Sequence, residues 1–585
     1  MLRSGLAMLW MLSLVVSKLP AAEGPSADAA LEAFFQQYLD ASFALRPSEA
    51  TRLGDHRFDG QLDDVSAGAR ARWRELYRRT LDQLPAAVDK QQLSPAGQVD
   101  WEILQHELTR ALWLAENTAP FEQDPRVYNE YISDSVYLLL TQSTLPRETN
   151  VAHAIARMAQ IPAVVAAARQ NLKNPSRVAT ETAIRQNRGA IAFYQQELFT
   201  AAGDTAAPEA LRAAAVPVVA CLRQYQEFLE QELLPRADGD WRLGRERFAQ
   251  KLDLELDAGW SADQVLAEAE AEFRRVERDM YVIARQLWGQ YHAGRPLPPD
   301  DEAGRRETVA HVLRAVGQEH GAPETLTVDA RATVARIRQF ITQREILRLP
   351  DPDRCQVIEM PEFQRGNSTA YLNSAPPLDP AAPSVYAVSP PPQDWEPQRV
   401  KSLLEEYNRH MLQILTIHEA YPGHYVQLEY ANRVPSLIRR VLGSGVYIEG
   451  WAVYTEQMML DQGYGGGDLA LRLTQLKFYL RAVANAILDH RMHCGQMTDE
   501  QALAFLMDGA FQSEGEARLK VIRAKQSSCQ LSTYFVGRMA LYRLRQEIQR
   551  ELGEAFRLDR YHEAVLNLGA VPVKYLPQLV RETLR

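Results

Sequence analysis

The run Thr416-Ile417-His418-Glu419-Ala420-Tyr421-Pro422-Gly423-His424 places two imidazoles and a carboxylate close together in the chain. Farther on, Glu449 stands at the head of Glu449-Gly450-Trp451-Ala452. Two neutral imidazoles and one carboxylate are the donor set of a catalytic zinc site that keeps its fourth position for water. Glu419, next to the first imidazole, is positioned to take a proton from that water. The expected ligands for Zn²⁺ are therefore His418, His424 and Glu449, with Glu419 as the base.

The spacing is irregular for such a site. The common zinc-peptidase pattern puts its two histidines one helical turn apart. Here they are six residues apart, a rotation of about 240° net in an unbroken helix, so the rings would diverge. Pro422 changes this. It lacks the N–H that residue 422 would donate to the His418 carbonyl, and its ring clashes with that carbonyl. Gly423 then tolerates the torsions that follow. A kink or bulge at Pro-Gly is expected to bring His424 back; if it does not, His490 or His493 becomes the replacement ligand. The pairs His106-Glu107 and His562-Glu563 lack a second nearby histidine, so the dipeptide alone signals little.

Glu449, Val453 and Glu456 fall near one face of a helix that Glu449 is expected to begin. Glu456 then suits the role of orienting a ligand histidine; a solvated acidic helix start is the plainer alternative. Asp489 and His493, four apart, can pair on a helix from Leu471 to His493. His493 or Tyr534 is expected to donate a hydrogen bond to the oxyanion of a tetrahedral intermediate, with Arg481 a further candidate. A dipole-favoured helix end and a core tyrosine are the ordinary roles for the first two.

These residues need a scaffold, and helical periodicity supplies it. Apolar residues recur at three-and-four spacing over Ala29 to Leu45, Ala69 to Leu84, Ala96 to Glu116, Ala154 to Asn171, Ala207 to Leu234 and Ala262 to Tyr291. Ser261 with Gln264 reads as a capping box. From Leu347 to Pro397 the chain turns Pro-rich, with two strand candidates, Gln356 to Met360 and Ser384 to Ser389. Between them lies the polar run Arg365 to Tyr371. Pro383 and Pro390 bracket the second strand, as at a sheet edge, where an extended peptide could pair. A helix from Arg399 to Tyr421 delivers His418 on its apolar stripe. The fold class is mainly α, with a small sheet beside the active-site helices. The expected divisions are a signal peptide over 1–22, an N-terminal helical region over 23–345 and a catalytic region over 346–585, with the last two able to share one core.

Arg3 followed by an apolar run from Leu6 to Val16, then Ala21 and Ala22, has the form of an export signal. The run is short for a membrane span, and no cysteine follows it. The mature protein is expected to be exported, periplasmic or secreted, without a stable membrane span. Across 585 residues, 65 basic side chains stand against 75 acidic ones, a net charge of −10. The signs are mixed, so no clustered basic face points to nucleic acid. Cys221, Cys355, Cys494 and Cys529 lack zinc-finger spacing. Cys494 with Cys529 is the first disulfide to consider, and four separate thiols the alternative.

The segments His418 to His424 and Glu449-Gly450-Trp451-Ala452-Val453-Tyr454-Thr455-Glu456 together resemble the signature of the domain-of-unknown-function 885 family of bacterial proteins. That family is grouped with the gluzincin-type, thermolysin-like zinc metallopeptidases. The resemblance implies zinc on His418, His424 and Glu449, Glu419 as base, and a zincin-like pair of active-site helices. The expected function is an exported zinc metallohydrolase, foremost a peptidase acting on oligopeptides or peptide-like substrates. The rivals are a zinc amidase acting on cell-wall peptides and a non-catalytic helical binding protein.

Overall fold

The computed structural model describes residues 26–360, 370–392 and 395–585. The export segment lies outside the described residues, as do Arg365 to Thr369 of the polar run. We number the principal helices in chain order. The first half contributes α1 (Ala27–Leu45), α2 (Ala67–Ala87), α3 (Pro95–Asn117), α4 (Arg147–Met158), α5 (Ile161–Asn171), α6 (Arg177–Ala192), α7 (Pro208–Glu227), α8 (Ala262–Tyr291) and α9 (Leu326–Gln343). Each buries one stripe. In α8 the stripe is Val265, Ala269, Phe273, Val276, Met280, Ala284 and Leu287. Its start is held by the reciprocal Ser261–Gln264 capping box, as the residue pattern predicts.

The apolar stretch Arg147–Asn171 is long and apolar enough to cross a membrane by composition. It is two helices, α4 and α5, whose Val151, Ala154, Met158, Ile161, Val164 and Ala168 are buried among other helices. Arg157 is fully buried inside it, donating to the carbonyls of Gln61 and Ser135.

Three strands follow: β1 (Cys355–Glu359), β2 (Ala370–Asn373) and β3 (Ser384–Val388), in the order β1-β3-β2. β1 runs parallel to β3, with Cys355 opposite Ser384; β2 runs antiparallel to β3, with Ala370 opposite Val388. This corrects the edge placement of β3, which is the central strand. Pro383 and Pro390 flank it from just outside, where no ladder N–H is required. The strand with one open side near the candidate site is β2, absent from the sequence expectation.

The principal helices after the sheet are α10 (Pro397–Glu406), α11 (Arg409–Glu419), α12 (His424–Ala431), α13 (Gly445–Asp461), α14 (Leu469–His493), α15 (Glu514–Gln526), α16 (Thr533–Leu552) and α17 (Leu558–Leu566). The single helix expected over Arg399 to Tyr421 is two. Asn408 divides them, its side chain accepting from the His410 and Met411 N–H groups as an N-cap. The long α14 is buried on nearly every face and packs against α8. One continuous hydrophobic core therefore runs from α1 to the C-terminal helices. All four cysteines are free thiols, the second of the two alternatives the sequence leaves open.

Candidate metal centre and its cavity

The histidine pair is set by a helix that stops and restarts. α11 ends at Glu419, and the Ala420 and Tyr421 N–H groups both turn back to the Thr416 carbonyl. The Tyr421–Pro422 peptide is cis. Gly423 donates its N–H to the Ile417 carbonyl at 3.0 Å. A Cβ at Gly423 would lie 1.9 Å from the His418 carbonyl oxygen and 2.3 Å from that of Ile417. Only glycine permits so close a return. α12 then begins at His424, and the two imidazole centroids stand 4.8 Å apart, nearly perpendicular. The turn is pinned from outside. Trp451 Nε1 donates to the Pro422 carbonyl at 2.9 Å, and the Tyr421 and Tyr425 hydroxyls both donate to Asp353.

Glu449 reaches the pair from the second turn of α13, which starts at Gly445 rather than at Glu449. Its Oε2 lies 3.9 Å from His418 Nε2 and 3.5 Å from His424 Nε2. The three residues offer ligand atoms that all fall within 4.8 Å of one another, the one such group of His, Cys, Asp and Glu among the described residues. Two turns along α13, Glu456 Oε1 bonds His418 Nδ1 at 2.7 Å. Nδ1 donating there leaves the Nε2 lone pair facing Glu449 and His424. Burial drives the His418 imidazole down to about 3, so it is neutral. Burial also opposes charge on His424, but the Glu449 carboxylate outweighs it and holds His424 above its ordinary value. Glu449 itself is depressed despite burial, by His424, His418 and a hydrogen bond from Tyr534. The donor set, its convergence and the Glu456 support fit a zinc ion.

Glu419 borders the same space. Burial pushes its carboxyl up to about 7, while His424 and the Leu372 backbone N–H of β2 draw it down. α16 brings Tyr534 beside Glu449, where burial and that carboxylate keep the phenol protonated. These helices approach closely because Gly450 of α13 faces Gly537 of α16; a Cβ at Gly450 would lie 2.3 Å from the Gly537 carbonyl carbon.

A cavity of about 1170 Å³ opens here, lined by His418, Glu419, Glu456, Arg481 and Tyr534 together with residues of α6, β2 and α15. Structure thus brings together His418, His424, Glu449, Glu419, Glu456, Tyr534 and Arg481. It does not bring His493. That residue ends α14, two turns beyond the cavity-lining Asn485. Its Nε2 bonds the carbonyls of Ala524 and Ser527, and its ring stacks on Phe248 against Trp241. Asp489 is likewise occupied, accepting from the Cys529 N–H and the Ser532 hydroxyl. His493 is a core histidine held through Nε2 by backbone carbonyls, away from the place where an oxyanion would form. His490 packs on Phe248 and is also remote from the cluster. Sequence reasoning missed Lys520, Arg523 and Glu516 of α15, which line the cavity.

Residues 47–580 match the model of a family described as bacterial protein of unknown function (DUF885). The chain belongs to that family. A solved structure from Shewanella oneidensis, described as "a putative lipoprotein of unknown function", is 30% identical to this DUF885 chain. It matches with a TM-score of 0.78 over 95% of this chain and 100% of that one. A second, "the putative lipoprotein from Colwellia psychrerythraea", shares the fold at 18% identity, with a TM-score of 0.77 over 95% and 99% of the two chains. No curated protein matches the chain.

Proposed function

We propose that this chain is an exported zinc-dependent metallohydrolase that cleaves oligopeptides, and that it sits among the thermolysin-like zinc peptidases. The observation that carries the proposal is the convergence of His418, His424 and Glu449 beside a large cavity that His418 and Glu419 line. His418, His424 and Glu449 would hold the ion. Zinc, when bound, supplies a Lewis acid and makes a coordinated water more acidic. Glu419 takes a proton from the attacking water and passes it to the leaving amine. The Leu372 N–H and burial orient that carboxyl and keep its affinity for a proton near neutrality. Tyr534, protonated and next to Glu449, donates to the oxygen on which negative charge develops. A cavity of this volume suits a short peptide better than a folded protein. The apolar leader segment supports export, as does the description of the Shewanella relative as a lipoprotein.

The test is metal content and turnover together. Wild-type protein is expected to bind about one zinc per chain, and His424→Ala and Glu449→Ala to lose it. Glu419→Gln should keep the metal and lose peptide hydrolysis by a factor of about 10²–10⁴. A purified protein that takes up no zinc, or a Glu419→Gln variant with wild-type turnover, overturns the proposal.

A further inference from the structure

The cavity wall facing the candidate ligands is unusually cationic for a site built from carboxylates. α15 turns Glu516, Leu519, Lys520, Arg523 and Gln526 inward at three-and-four spacing, and α14 adds Arg481. Of the three cations, one has a carboxylate partner: Arg481 pairs with Glu516 at 3.1 Å. Glu516 is shared further, accepting from the Tyr407 hydroxyl. The nearby Glu406 is taken by Lys477 at 2.6 Å. Arg523 bonds only neutral groups, the Gln530 side-chain oxygen at 2.9 Å and the Tyr534 hydroxyl at 3.1 Å. Lys520 makes no hydrogen bond or ion pair among the described residues. Burial, together with Arg481 and Arg523, pushes its ammonium well below the ordinary lysine value. The Glu516 and Glu449 carboxylates oppose this from nearby but neither pairs with Lys520, and a cation held against two others is costly unless an anion bonded to it completes the set.

The position of this patch narrows what that anion is. Arg523 donates to the Tyr534 hydroxyl, and that hydroxyl is near enough to Glu449 to help lower its carboxyl, so the cations adjoin the candidate ligand set through one phenol. An anion bound there sits within a residue or two of any carbonyl placed beside Glu419. Peptides carry one carboxylate so close to a peptide bond whatever their sequence, namely the C-terminal one. We propose that Lys520 and Arg523 bind the free C-terminal carboxylate of the substrate, so that the enzyme removes one or two residues from that end. This rests on the metallohydrolase function proposed above. In the step, the oxygen of water bonds to the carbonyl carbon, the C–N bond breaks, and the departing nitrogen gains the proton carried by Glu419. Exposed Leu519 and Phe478, whose ring lies under Arg481, give the terminal side chain an apolar surface.

Three probes separate the possibilities: N-acetylated tetra-alanine as the free acid, its C-terminal amide, and an amide whose last residue is glutamate. Zinc-loaded wild-type protein should hydrolyse the free acid about tenfold to a hundredfold better in kcat/KM than either amide, the range expected for charge-assisted hydrogen bonds to one carboxylate. Products should be free alanine or dialanine. In Lys520→Gln the ratio of acid to amide should collapse toward one. The same preference should appear as binding by calorimetry to Glu419→Gln, which requires no turnover. Zinc uptake and hydrolysis with equal use of acid and amide would overturn the carboxylate site and leave the hydrolase standing. Preference for the glutamate-ended amide would move recognition to an acidic side chain and also overturn it. A protein without zinc or hydrolysis that still binds the acid selectively, and loses this in Lys520→Gln, would overturn the hydrolase and keep the anion site.

Discussion

The smallest unit that matters is the bond between His418 Nδ1 and Glu456. Glu456 is fully buried, and its second carboxylate oxygen has no hydrogen-bond partner among the described residues. Such a group is expensive to keep, and its one visible task is to fix which nitrogen of His418 faces the cluster. Glu456→Gln is therefore expected to weaken zinc binding about 10–100-fold, measured by competition with a chromophoric chelator. Unchanged affinity would show that His418 needs no such support. Much of this residue set is legible in the chain, because a histidine on a buried stripe must find a partner and the carboxylates recur at helical spacing. His493 was misplaced for a physical reason. Its i, i+4 relation to Asp489 is real, but two turns of α14 carry both side chains past the cavity into the core, where backbone carbonyls hold the ring by Nε2. Lys520 and Arg523 escaped because charges on an amphipathic helix look alike whether they face water or a cavity.

At the scale of elements, the site depends on how closely α13 and α16 approach. α13 carries Glu449 and Glu456, and α16 carries Tyr534. Their contact is backbone on backbone at Gly450 and Gly537, and a Cβ at Gly537 would lie 1.9 Å from the Val446 carbonyl oxygen. Gly450→Ala is expected to force the helices apart, costing about 1–3 kcal/mol in urea unfolding and weakening zinc binding at the same time. A variant with full stability and full zinc affinity would mean that the close contact is dispensable. The long helices were readable from period and caps. The small sheet was only half readable: β2 has four residues after a polar run, too short to show alternation, and β3 has flanking prolines that imitate an edge. The division of α10 from α11 was signalled by Asn408, a good N-cap residue within an otherwise continuous apolar pattern.

For the whole molecule, the two expected regions share one hydrophobic core, and His562 is one of the polar groups buried in its second half. It lies fully buried on α17, bonding the Tyr454 hydroxyl at 2.7 Å and the Ile346 carbonyl at 2.9 Å, which ties α17 to α13 and to the start of the second region. Burial lowers it to about 3, whereas in the unfolded chain it titrates near 6.5. The unfolded state thus binds the extra proton first. Stability from this residue is complete above about pH 6.5 and falls as pH drops toward about 3, by at most about 1.4 kcal/mol per unit. Between about pH 7.5 and about 5.5, on either side of the unfolded value, unfolding free energies are expected to fall less steeply for His562→Gln than for wild type. Parallel slopes would show that the histidine is already charged in the fold.

The free state of Cys221, Cys355, Cys494 and Cys529 carries a practical corollary. Covalent cross-links contribute nothing to this architecture, so an oxidising compartment is not a requirement for reaching it. A leaderless version produced in the reducing cytosol of an expression host should mature without oxidants or isomerases, and thiol reagents in the buffer should leave its shape untouched.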